Sequence, residues 1–263
     1  MIKEKKYKIG LVLSGGGVRG FAHAGALKAL NEAGIFPGII SGTSAGAIAG
    51  SLYADGKNGD EIMNMFSEKK LFKYLEIVIP KKGLLKMTGL TKIISQNLKA
   101  KTFEELTIPL IVTATNLNEG ICKYFSSGEL LKPILASSTV PVIFAPIKID
   151  EKSFVDGGVL NNFPIEPVEK ICDFIIGIHV NPFGYCEEFT SIMSIAERSF
   201  HLSFSSHMSK KINKCDIFIE PIGLEKFKLL DISKINEIFN LGYKETKRIL
   251  SENQEKISLM LSL

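Results

Sequence analysis

The chain has 263 residues and a mass of 28.9 kDa, enough to bury the core of one large α/β domain. Apolar residues make up 45% of it and charged residues 23%, a globular balance that excludes disordered, collagen-like and coiled-coil proteins. The net charge of +4 is mild, and no apolar run approaches the roughly 18 residues of a membrane-spanning helix. The apolar stretch after the basic start of the chain is too short for an export signal. We therefore expect a folded protein without a membrane span or an export signal.

The predicted elements alternate between strands and helices from the start of the chain. Apolar, β-rich runs predict strands at residues 7–13 and 37–43, and helical spacing follows each of them, at residues 18–33 and 45–54. Further strands are expected at residues 108–114, 121–125, 143–149, 154–155, 174–180 and 217–219, and further helices near residues 129–138, 192–212 and 232–261. This alternation is typical of a mostly parallel sheet with helices on both faces, a three-layer α/β/α sandwich. Because the chain has no internal repeat and no linker, we expect one domain over residues 1–263.

A serine lies in the turn between the second predicted strand and the second predicted helix. The run Gly42-Thr43-Ser44-Ala45-Gly46 matches the pattern Gly-x-Ser-x-Gly, in which small neighbours let the backbone fold back on itself. The pattern alone is weak, but its place between a strand and a helix is the one that a nucleophile elbow demands. We predict that Ser44 is a nucleophile; the alternative is that these small residues only let a helix pack closely.

A glycine-rich run, Gly15-Gly16-Gly17-Val18-Arg19-Gly20, joins the first predicted strand to the first predicted helix. Several N–H groups then point at one spot at the positive end of a helix, which predicts an anion site. The spacing of its glycines also matches the dinucleotide fingerprint Gly-x-Gly-x-x-Gly, but the second strand lacks the acidic residue that would hold a ribose. If the first two strands are adjacent and parallel, the N–H groups lie beside Ser44 and can receive an oxyanion. Arg19 either adds positive charge there or anchors the loop.

A nucleophilic serine needs a base, and a carboxylate or one of four histidines can provide it. Asp156-Gly157-Gly158 follows a short predicted strand, and its two glycines permit close approach of another backbone, although this run alone usually indicates a hairpin turn. His179 ends a predicted strand after Asp156, so the order Ser, Asp, His is also open. His23, His201 and His207 fall in predicted helices, where we expect solvated or core side chains.

Four blocks of the sequence together resemble one known family. They are the glycine-rich run 15–20, the elbow 42–46, the run Ala136-Ser137-Ser138 through Pro141, and Asp156-Gly157-Gly158. In this order and spacing they resemble the patatin-like phospholipases in their compact bacterial form. The similarity extends over about residues 9–168 and is weaker beyond. One departure is Asn116, where relatives often carry Asp, and it affects substrate detail more than chemistry.

The resemblance implies a Ser-Asp dyad without histidine, in which Ser44 is the nucleophile and Asp156 the base. It implies an oxyanion hole at Gly15, Gly16, Gly17 and Arg19, and motif glycines at Gly20, Gly42, Gly46, Gly157 and Gly158. It also implies hydrolysis of fatty-acyl esters, often of phospholipids or lysophospholipids, with no cofactor and no metal. The alternatives are a non-catalytic lipid-binding or regulatory module on the same fold and, on the glycine fingerprint, a dinucleotide-binding oxidoreductase.

A lysine-rich segment follows the second predicted helix. Residues 69–101 hold nine lysines against one acidic residue, Glu76, and interleave them with apolar side chains. This mixture suits docking on an anionic membrane surface or a lid over an acyl pocket; the alternative is a solvated basic face. No nucleic-acid-binding module is recognisable, so we expect a lipid or fatty-acyl ester substrate and no nucleic-acid partner. The four cysteines form no Cys-x-x-Cys pair, which favours reduced thiols and a cytoplasmic location.

Overall fold

The computed structural model describes residues 5–66, 87–141, 143–182, 195, 198–199, 202, 208–228 and 232–262. Within these residues, eight strands form one sheet. They are β1 (Tyr7–Leu13), β2 (Ile39–Thr43), β3 (Leu110–Asn116), β4 (Ile121–Phe125), β5 (Ile147–Ile149), β6 (Lys152–Asp156), β7 (Cys172–Ile178) and β8 (Ile217–Ile219). Their order is β5-β6-β3-β2-β1-β7-β8, and β4 pairs with β3 beside this path. Strands β1, β2, β3, β7 and β8 pair in parallel, whereas the pairs β3–β4, β3–β6 and β5–β6 are antiparallel.

Helices cover both faces of this sheet. They are α1 (Phe21–Glu32), α2 (Ala45–Ala54), α3 (Gly59–Met65), α4 (Thr88–Asn97), α5 (Leu131–Ser137), α6 (Glu166–Glu169), α7 (Met208–Ile212), α8 (Ile235–Glu252) and α9 (Gln254–Ser262). Alternate residues of β1 enter opposite cores, because side chains of a strand point to its two faces in turn. Leu11 and Leu13 join the large core with α1, α2 and α8, whereas Val12 joins a smaller core with Phe163 and Val168. The predicted α/β/α class with a mostly parallel sheet is therefore confirmed.

Most predicted strands lie where the structure has them, and the differences have local causes. The predicted strand 143–149 is shortened to β5, since Pro146 has no N–H to donate to a sheet partner. The predicted helix 18–33 begins with a tight 3-10 turn, Gly17–Gly20, before α1. The predicted helix 232–261 is divided at Asn253, whose side chain donates to the carbonyl of Ile249 in place of its own N–H.

Three helices of the described residues were not predicted: α3, α4 and the single-turn α6. At the start of α3, Asn58 and Glu61 form a capping box, each side chain accepting the other's N–H, and this signal is visible in the sequence. Helix α4 lies in the lysine-rich segment, of which residues 67–86 fall outside the described residues. The predicted helix 192–212 also lies largely outside them, and its described end forms α7.

The parallel pairing of β1 with β2 sets two turns side by side. Leu13, the last residue of β1, pairs with Gly42 near the end of β2. The glycine-rich run that follows β1 and the Ser44 turn that follows β2 therefore leave the sheet at the same edge. This is the carboxyl edge of the parallel strands, where α/β proteins place their ligand sites.

Strands β2 and β6 lie end to end along one edge of β3. Both β2 and β4 pair with Val112 and Thr113, so they occupy opposite edges of β3. Strand β6 pairs with the next three residues of β3, residues 114–116, and β4 pairs with the same three residues. Because β4 occupies one edge of β3 there, β6 must lie on the other edge, which is the edge that β2 occupies. Since β6 is antiparallel to β3 and β2 is parallel to it, their carboxyl ends face each other. The last pairs are Thr43 with Thr113 and Asp156 with Ala114, which places Asp156 directly beyond the end of β2.

Candidate active site

Ser44 lies at a tight elbow between β2 and α2. Its backbone has φ 52° and ψ −119°, a region that costs a non-glycine residue on the order of 1 to 3 kcal/mol. The neighbours must be small, because a Cβ at Gly42 would lie 2.7 Å from the carbonyl oxygen of Gly46. Ser44 itself is only 7% exposed. The turn has the strand-to-helix geometry that a nucleophile elbow requires.

Ser137 at the end of α5 supports this elbow. The N–H of Ser44 donates to Ser137 Oγ at 2.8 Å, and Ser137 Oγ donates to the carbonyl oxygen of Thr113 at 2.6 Å. Both hydrogen bonds are buried and tie the elbow to β3. The run Ala136-Ser137-Ser138 entered the family resemblance without a role, and this contact gives it one.

Asp156 ends β6 beside the Ser44 elbow. Its N–H donates to the carbonyl oxygen of Thr139 at 2.9 Å, and its carboxyl Oδ1 accepts the N–H of Gly158 at 2.7 Å. The Ser44 side chain lies close enough to this carboxyl group to lower its pKa. Gly157 has no room for a side chain, because a Cβ there would lie 2.2 Å from the carbonyl oxygen of Thr113. The structure therefore brings together the two residues that the sequence singled out as nucleophile and base.

The environment of Asp156 brings the pKa of its carboxyl group close to neutral pH. Burial raises the pKa of Asp156 to about 7, because removal from water disfavours the charged form. The Ser44 side chain and the hydrogen bond from the Gly158 N–H act in the opposite direction, because both stabilise the carboxylate. A base with a pKa close to the working pH is both available and strong enough to take a proton.

The glycine-rich run presents two N–H groups at the carboxyl edge of the sheet. Within the described residues, the N–H groups of Gly16 and Gly17 have no hydrogen-bond acceptor. Gly15 lies beside Ser44, since a Cβ at Gly15 would lie 3.2 Å from Ser44 Cβ. Its N–H, however, donates to the carbonyl oxygen of Asn162 at 3.0 Å. Contrary to the expectation from the motif, Gly15 is therefore no free donor.

Arg19 anchors the glycine-rich loop. Its guanidinium donates to Asn181 Oδ1 at 2.7 Å and to the carbonyl oxygens of Phe227 and Glu225 at 2.9 and 3.4 Å. Of the two roles that the sequence left open for this buried side chain, these contacts favour the anchor. Gly20 lets the two helices begin close together, because a Cβ there would lie 2.5 Å from Ala45 Cβ.

The histidines hold other positions. His179 Nδ1 lies 2.6 Å from Glu220 Oε1, and the ring packs against Phe163 and Phe218. Among the hydrogen bonds of the described residues, none joins His179 to Ser44 or Asp156. His23 is fully buried in α1, as expected of a core histidine. His201 and His207 lie outside the described residues.

Strand β2 itself ends without an acidic side chain of the kind that holds a ribose. Ser41 Oγ donates to the carbonyl oxygen of Pro164, and Thr43 Oγ1 to that of Asn161.

In the described ranges, no group of three or more His, Cys, Asp or Glu side chains could hold a metal ion. No helix in those ranges is both long and apolar enough to cross a membrane. Three cysteines, Cys122, Cys172 and Cys215, are free, and Cys186 lies outside the described residues.

The roles of three residues at this site were not predicted from the sequence. Asn162 accepts the N–H of Gly15 on its backbone carbonyl, Ser137 supports the elbow, and His23 contacts the residue before the glycine run. Asn162 and Ser137 act on partners far away in the chain, and the contact of His23 with Ser14 depends on the fold of the loop between them, so no local pattern predicts these roles. Asn116 instead organises the β3–β4 turn by accepting the N–H groups of Asn118 and Glu119.

The fold and the geometry of the Ser44 turn place this protein in the class of α/β proteins that carry a serine at a strand-to-helix elbow. The model of the patatin-like phospholipase family matches residues 11–168, more than half of the chain. The chain therefore belongs to the patatin-like phospholipase family, and the resemblance drawn from the four blocks is confirmed.

Individual relatives agree with this family. The chain is 26% identical over 290 positions to the lysophospholipase nte1 of Aspergillus fumigatus, an alignment that covers 96% of this chain and 19% of that protein. It is 30% identical over 178 positions to an uncharacterized NTE family protein of Mycobacterium bovis, covering 66% of this chain and 49% of the other. The crystal structure of VipD from Legionella pneumophila superimposes with a TM-score of 0.56 at 16% identity, covering 94% of this chain and 67% of that one. This last likeness shows the fold alone. The chain spans about a fifth of the fungal relative and about half of the mycobacterial one.

Proposed function

We propose that this protein is a serine acyl hydrolase that cleaves fatty-acyl ester bonds of phospholipids or lysophospholipids. The observation that carries the proposal is the position of the Ser44 elbow directly beside a buried carboxyl group, Asp156, whose pKa burial raises to about 7. The family to which the chain belongs, and the lysophospholipase name of its fungal relative, support a lipid ester as the substrate.

In the first half-reaction, the Asp156 carboxylate takes the Ser44 hydroxyl proton as Oγ attacks the ester carbonyl carbon. The carbonyl oxygen becomes an oxyanion, which we assign to the N–H groups of Gly16 and Gly17, since neither has an acceptor among the described residues. One such donor is worth about 2.7 to 4 kcal/mol in a measured serine hydrolase. The bond to the alcohol oxygen then breaks, that oxygen receives the proton from Asp156, and an acyl-enzyme remains.

In the second half-reaction, water attacks the acyl-enzyme and gives its proton to Asp156. The oxyanion forms again at the same two N–H groups. Its collapse breaks the bond to Ser44 Oγ, which recovers the proton, and the fatty acid leaves. Ester and water have become acid and alcohol, with no cofactor or metal required at any step.

The surroundings of the dyad favour reaction with an ester. Ser44 and Asp156 are both almost completely removed from water, which strengthens the hydrogen bonds that the oxyanion would receive. Leu160, which ends the 3-10 turn that follows Asp156, is 48% exposed and provides an apolar side chain on the surface there. We also propose that lysines of the segment 69–101 attract the protein to anionic membranes. The expected cytoplasmic location rests on the lack of a Cys-x-x-Cys pair in the sequence and stays a prediction.

The test compares Ser44→Ala with Ser51→Ala, a control that removes an equally buried hydroxyl from the next turns of α2. Both variants and the wild type are treated with a fluorophosphonate probe and assayed on p-nitrophenyl butyrate and lysophosphatidylcholine. We expect Ser44→Ala to lose labelling and turnover of both esters while its melting temperature stays close to that of the wild type. Turnover that survives in a folded Ser44→Ala variant contradicts the proposal. Lipid binding by a wild type that turns over neither ester would favour the non-catalytic lipid-binding alternative.

A further inference from the structure

The peptide group between Ser14 and Gly15 is held at both of its polar ends. His23 Nε2 lies 2.8 Å from the carbonyl oxygen of Ser14, and the N–H of Gly15 donates to the carbonyl oxygen of Asn162 at 3.0 Å. Ser14 is also fixed by its N–H, which donates to Ile178, and by its Oγ, which accepts the N–H of Val180. A rotation of this peptide would break two buried hydrogen bonds at once.

This peptide directly precedes the two N–H groups assigned to the oxyanion. Glycine residues restrict their own backbone very little, so the directions of the Gly16 and Gly17 N–H groups must be set by contacts on either side. On the far side, the N–H of Arg19 donates to the carbonyl oxygen of Gly16 at 3.1 Å. On the near side, the restraint is the Ser14–Gly15 peptide, and His23 is the side chain that holds it.

The protonation of His23 follows from its surroundings. Burial lowers the pKa of His23 to about 4, so the ring is neutral at neutral pH and carries one N–H. A carbonyl oxygen only accepts hydrogen bonds, and the proton must therefore lie on Nε2, which faces Ser14. The other nitrogen, Nδ1, has no hydrogen-bond partner among the described residues, as suits the unprotonated position.

His23 is mounted on a rigid part of the protein. Helix α1 packs backbone to backbone on α8: a Cβ at Gly25 would lie 2.0 Å from the carbonyl oxygen of Phe239, and one at Gly242 would lie 2.1 Å from that of Ala22. Such contacts leave no room for the helix to slide or rotate. The position of the His23 ring is thus determined by the helix pair and not by the loop that it touches.

We infer that His23 is a positioning residue that aims the Gly16 and Gly17 N–H groups at the oxyanion by donating to the Ser14 carbonyl. The inference rests on the proposed hydrolysis at Ser44. His23 touches neither substrate nor dyad, and its effect is confined to the step in which negative charge develops on the substrate oxygen. Loss of its N–H should therefore lower kcat and leave KM nearly unchanged.

The experiment compares His23→Leu, which removes the donor at similar volume, with His23→Gln, which can place an N–H near the same point. On p-nitrophenyl butyrate we expect His23→Leu to lose about tenfold or more in kcat with KM within about threefold, and His23→Gln to recover most of the loss. Labelling by the fluorophosphonate should slow in parallel, since the phosphonyl oxygen occupies the oxyanion site. Leu27→Val, one turn along the same buried face of α1, is the control for loss of packing and should keep the wild-type kcat.

The outcomes separate this inference from the proposed function. A dead Ser44→Ala variant together with wild-type kcat in a folded His23→Leu variant overturns the inference alone, and so does an equal loss in His23→Leu and His23→Gln. Turnover that persists in Ser44→Ala overturns the proposed function. If His23→Leu does not fold, nitrogen-15 NMR of the histidine rings in the wild type tests the inference instead. Between pH 6 and 8 the His23 ring must stay neutral with its proton on Nε2; a proton on Nδ1, or titration in that range, overturns the inference.

Discussion

Gly46 in α2 lies so close to Leu13 at the end of β1 that a Cβ on it would be 2.3 Å from the Leu13 carbonyl oxygen. The first turn after Ser44 is therefore in direct backbone contact with the strand that leads into the glycine-rich loop. Elbow and loop are one rigid unit, because neither backbone can move without the other. This contact explains why the last glycine of the elbow pattern has to be a glycine although it lies within a helix.

Gly46→Ala should for this reason disable the enzyme. The added methyl group meets backbone on β1, which cannot rotate away as a side chain could, so we expect at least about tenfold lower kcat/KM and about 1 to 3 kcal/mol lower stability. The control is Gly38→Ala, where the nearest atom to a new Cβ, on the Tyr7 ring, lies at an ordinary 3.5 Å. Ester turnover and urea unfolding of both variants check this. Equal behaviour of the two variants would contradict the close contact at Gly46.

Asp156→Asn should lose most of the activity, about 10² to 10⁴ in kcat, because an amide cannot accept the Ser44 proton. His179→Ala should lose little activity, since that ring is bonded to Glu220 and no hydrogen bond within the described residues joins it to the dyad. Steady-state kinetics on p-nitrophenyl butyrate, with circular dichroism to verify folding, decide between them. A dead His179 variant beside an active Asp156 variant would establish a Ser-His-Asp triad instead.

The rate should depend on pH through the Asp156 carboxyl group. Because the pKa of this group is about 7 and the carboxylate is the base, kcat/KM should fall about tenfold per unit below pH 7 and level off above it. We propose to measure kcat/KM from pH 5 to pH 9 with p-nitrophenyl butyrate, following the product at its isosbestic wavelength. A profile that is flat across pH 7 would remove Asp156 from the role of base.

Stability should respond to pH in the opposite sense. The pKa of Asp156 is raised in the folded state from an ordinary value of 3.8, so the stability it contributes is present below about pH 4 and is lost as pH rises to about 7. Between these values the loss is about 1.4 kcal/mol per pH unit. The Asp156→Asn variant has no such titration. From pH 5 to pH 8 its free energy of unfolding should therefore rise relative to that of the wild type. Urea unfolding of both proteins at the two pH values tests this, and parallel changes would contradict the raised pKa.

Lysines of the segment 69–101 should strengthen binding to anionic lipid. Replacement of Lys81, Lys82 and Lys86 by Gln removes attraction worth on the order of 1 kcal/mol per lysine near the bilayer, which salt screens beyond about 8 Å. We expect weaker co-sedimentation with phosphatidylglycerol vesicles, most visibly at low salt, and unchanged turnover of p-nitrophenyl butyrate. The control replaces three exposed lysines elsewhere, Lys132, Lys170 and Lys234. Equal binding by the wild type and both triple variants would favour the alternative that the segment is a solvated basic face.

Features with a local cause could be predicted from the sequence. The runs of β1 and β2 and the small residues of α2 predict their elements, because a strand buried on both faces or a closely packed helix needs those residue types. Boundaries that depend on one side chain were less predictable. The break at Asn253 and the short β5 come from single hydrogen-bonding groups inside runs that otherwise continue their pattern.

The roles of the site residues divide in the same way. Ser44 could be predicted as an elbow serine since its turn requires glycine neighbours within two residues, and Asp156 could be predicted beside close backbone since two glycines follow it. The residues around Gly15 could not show whether its N–H is free to bind an oxyanion, because that N–H donates to the carbonyl oxygen of Asn162, 147 residues away in the chain. The role of Arg19 likewise depends on Asn181 and Phe227.

By itself the sequence determined the kinds of turn at the carboxyl edge of the sheet and the residue types that these turns carry. Only the tertiary structure decided which of those residues meet. Asp156 reaches Ser44 because β2 and β6 occupy the same edge of β3 with their carboxyl ends facing each other. That pairing depends on hydrogen bonds between distant strands, and burial at their junction raises the Asp156 pKa. Neither effect has a local signature, since backbone pairing and desolvation arise only when separate parts of the chain exclude water together.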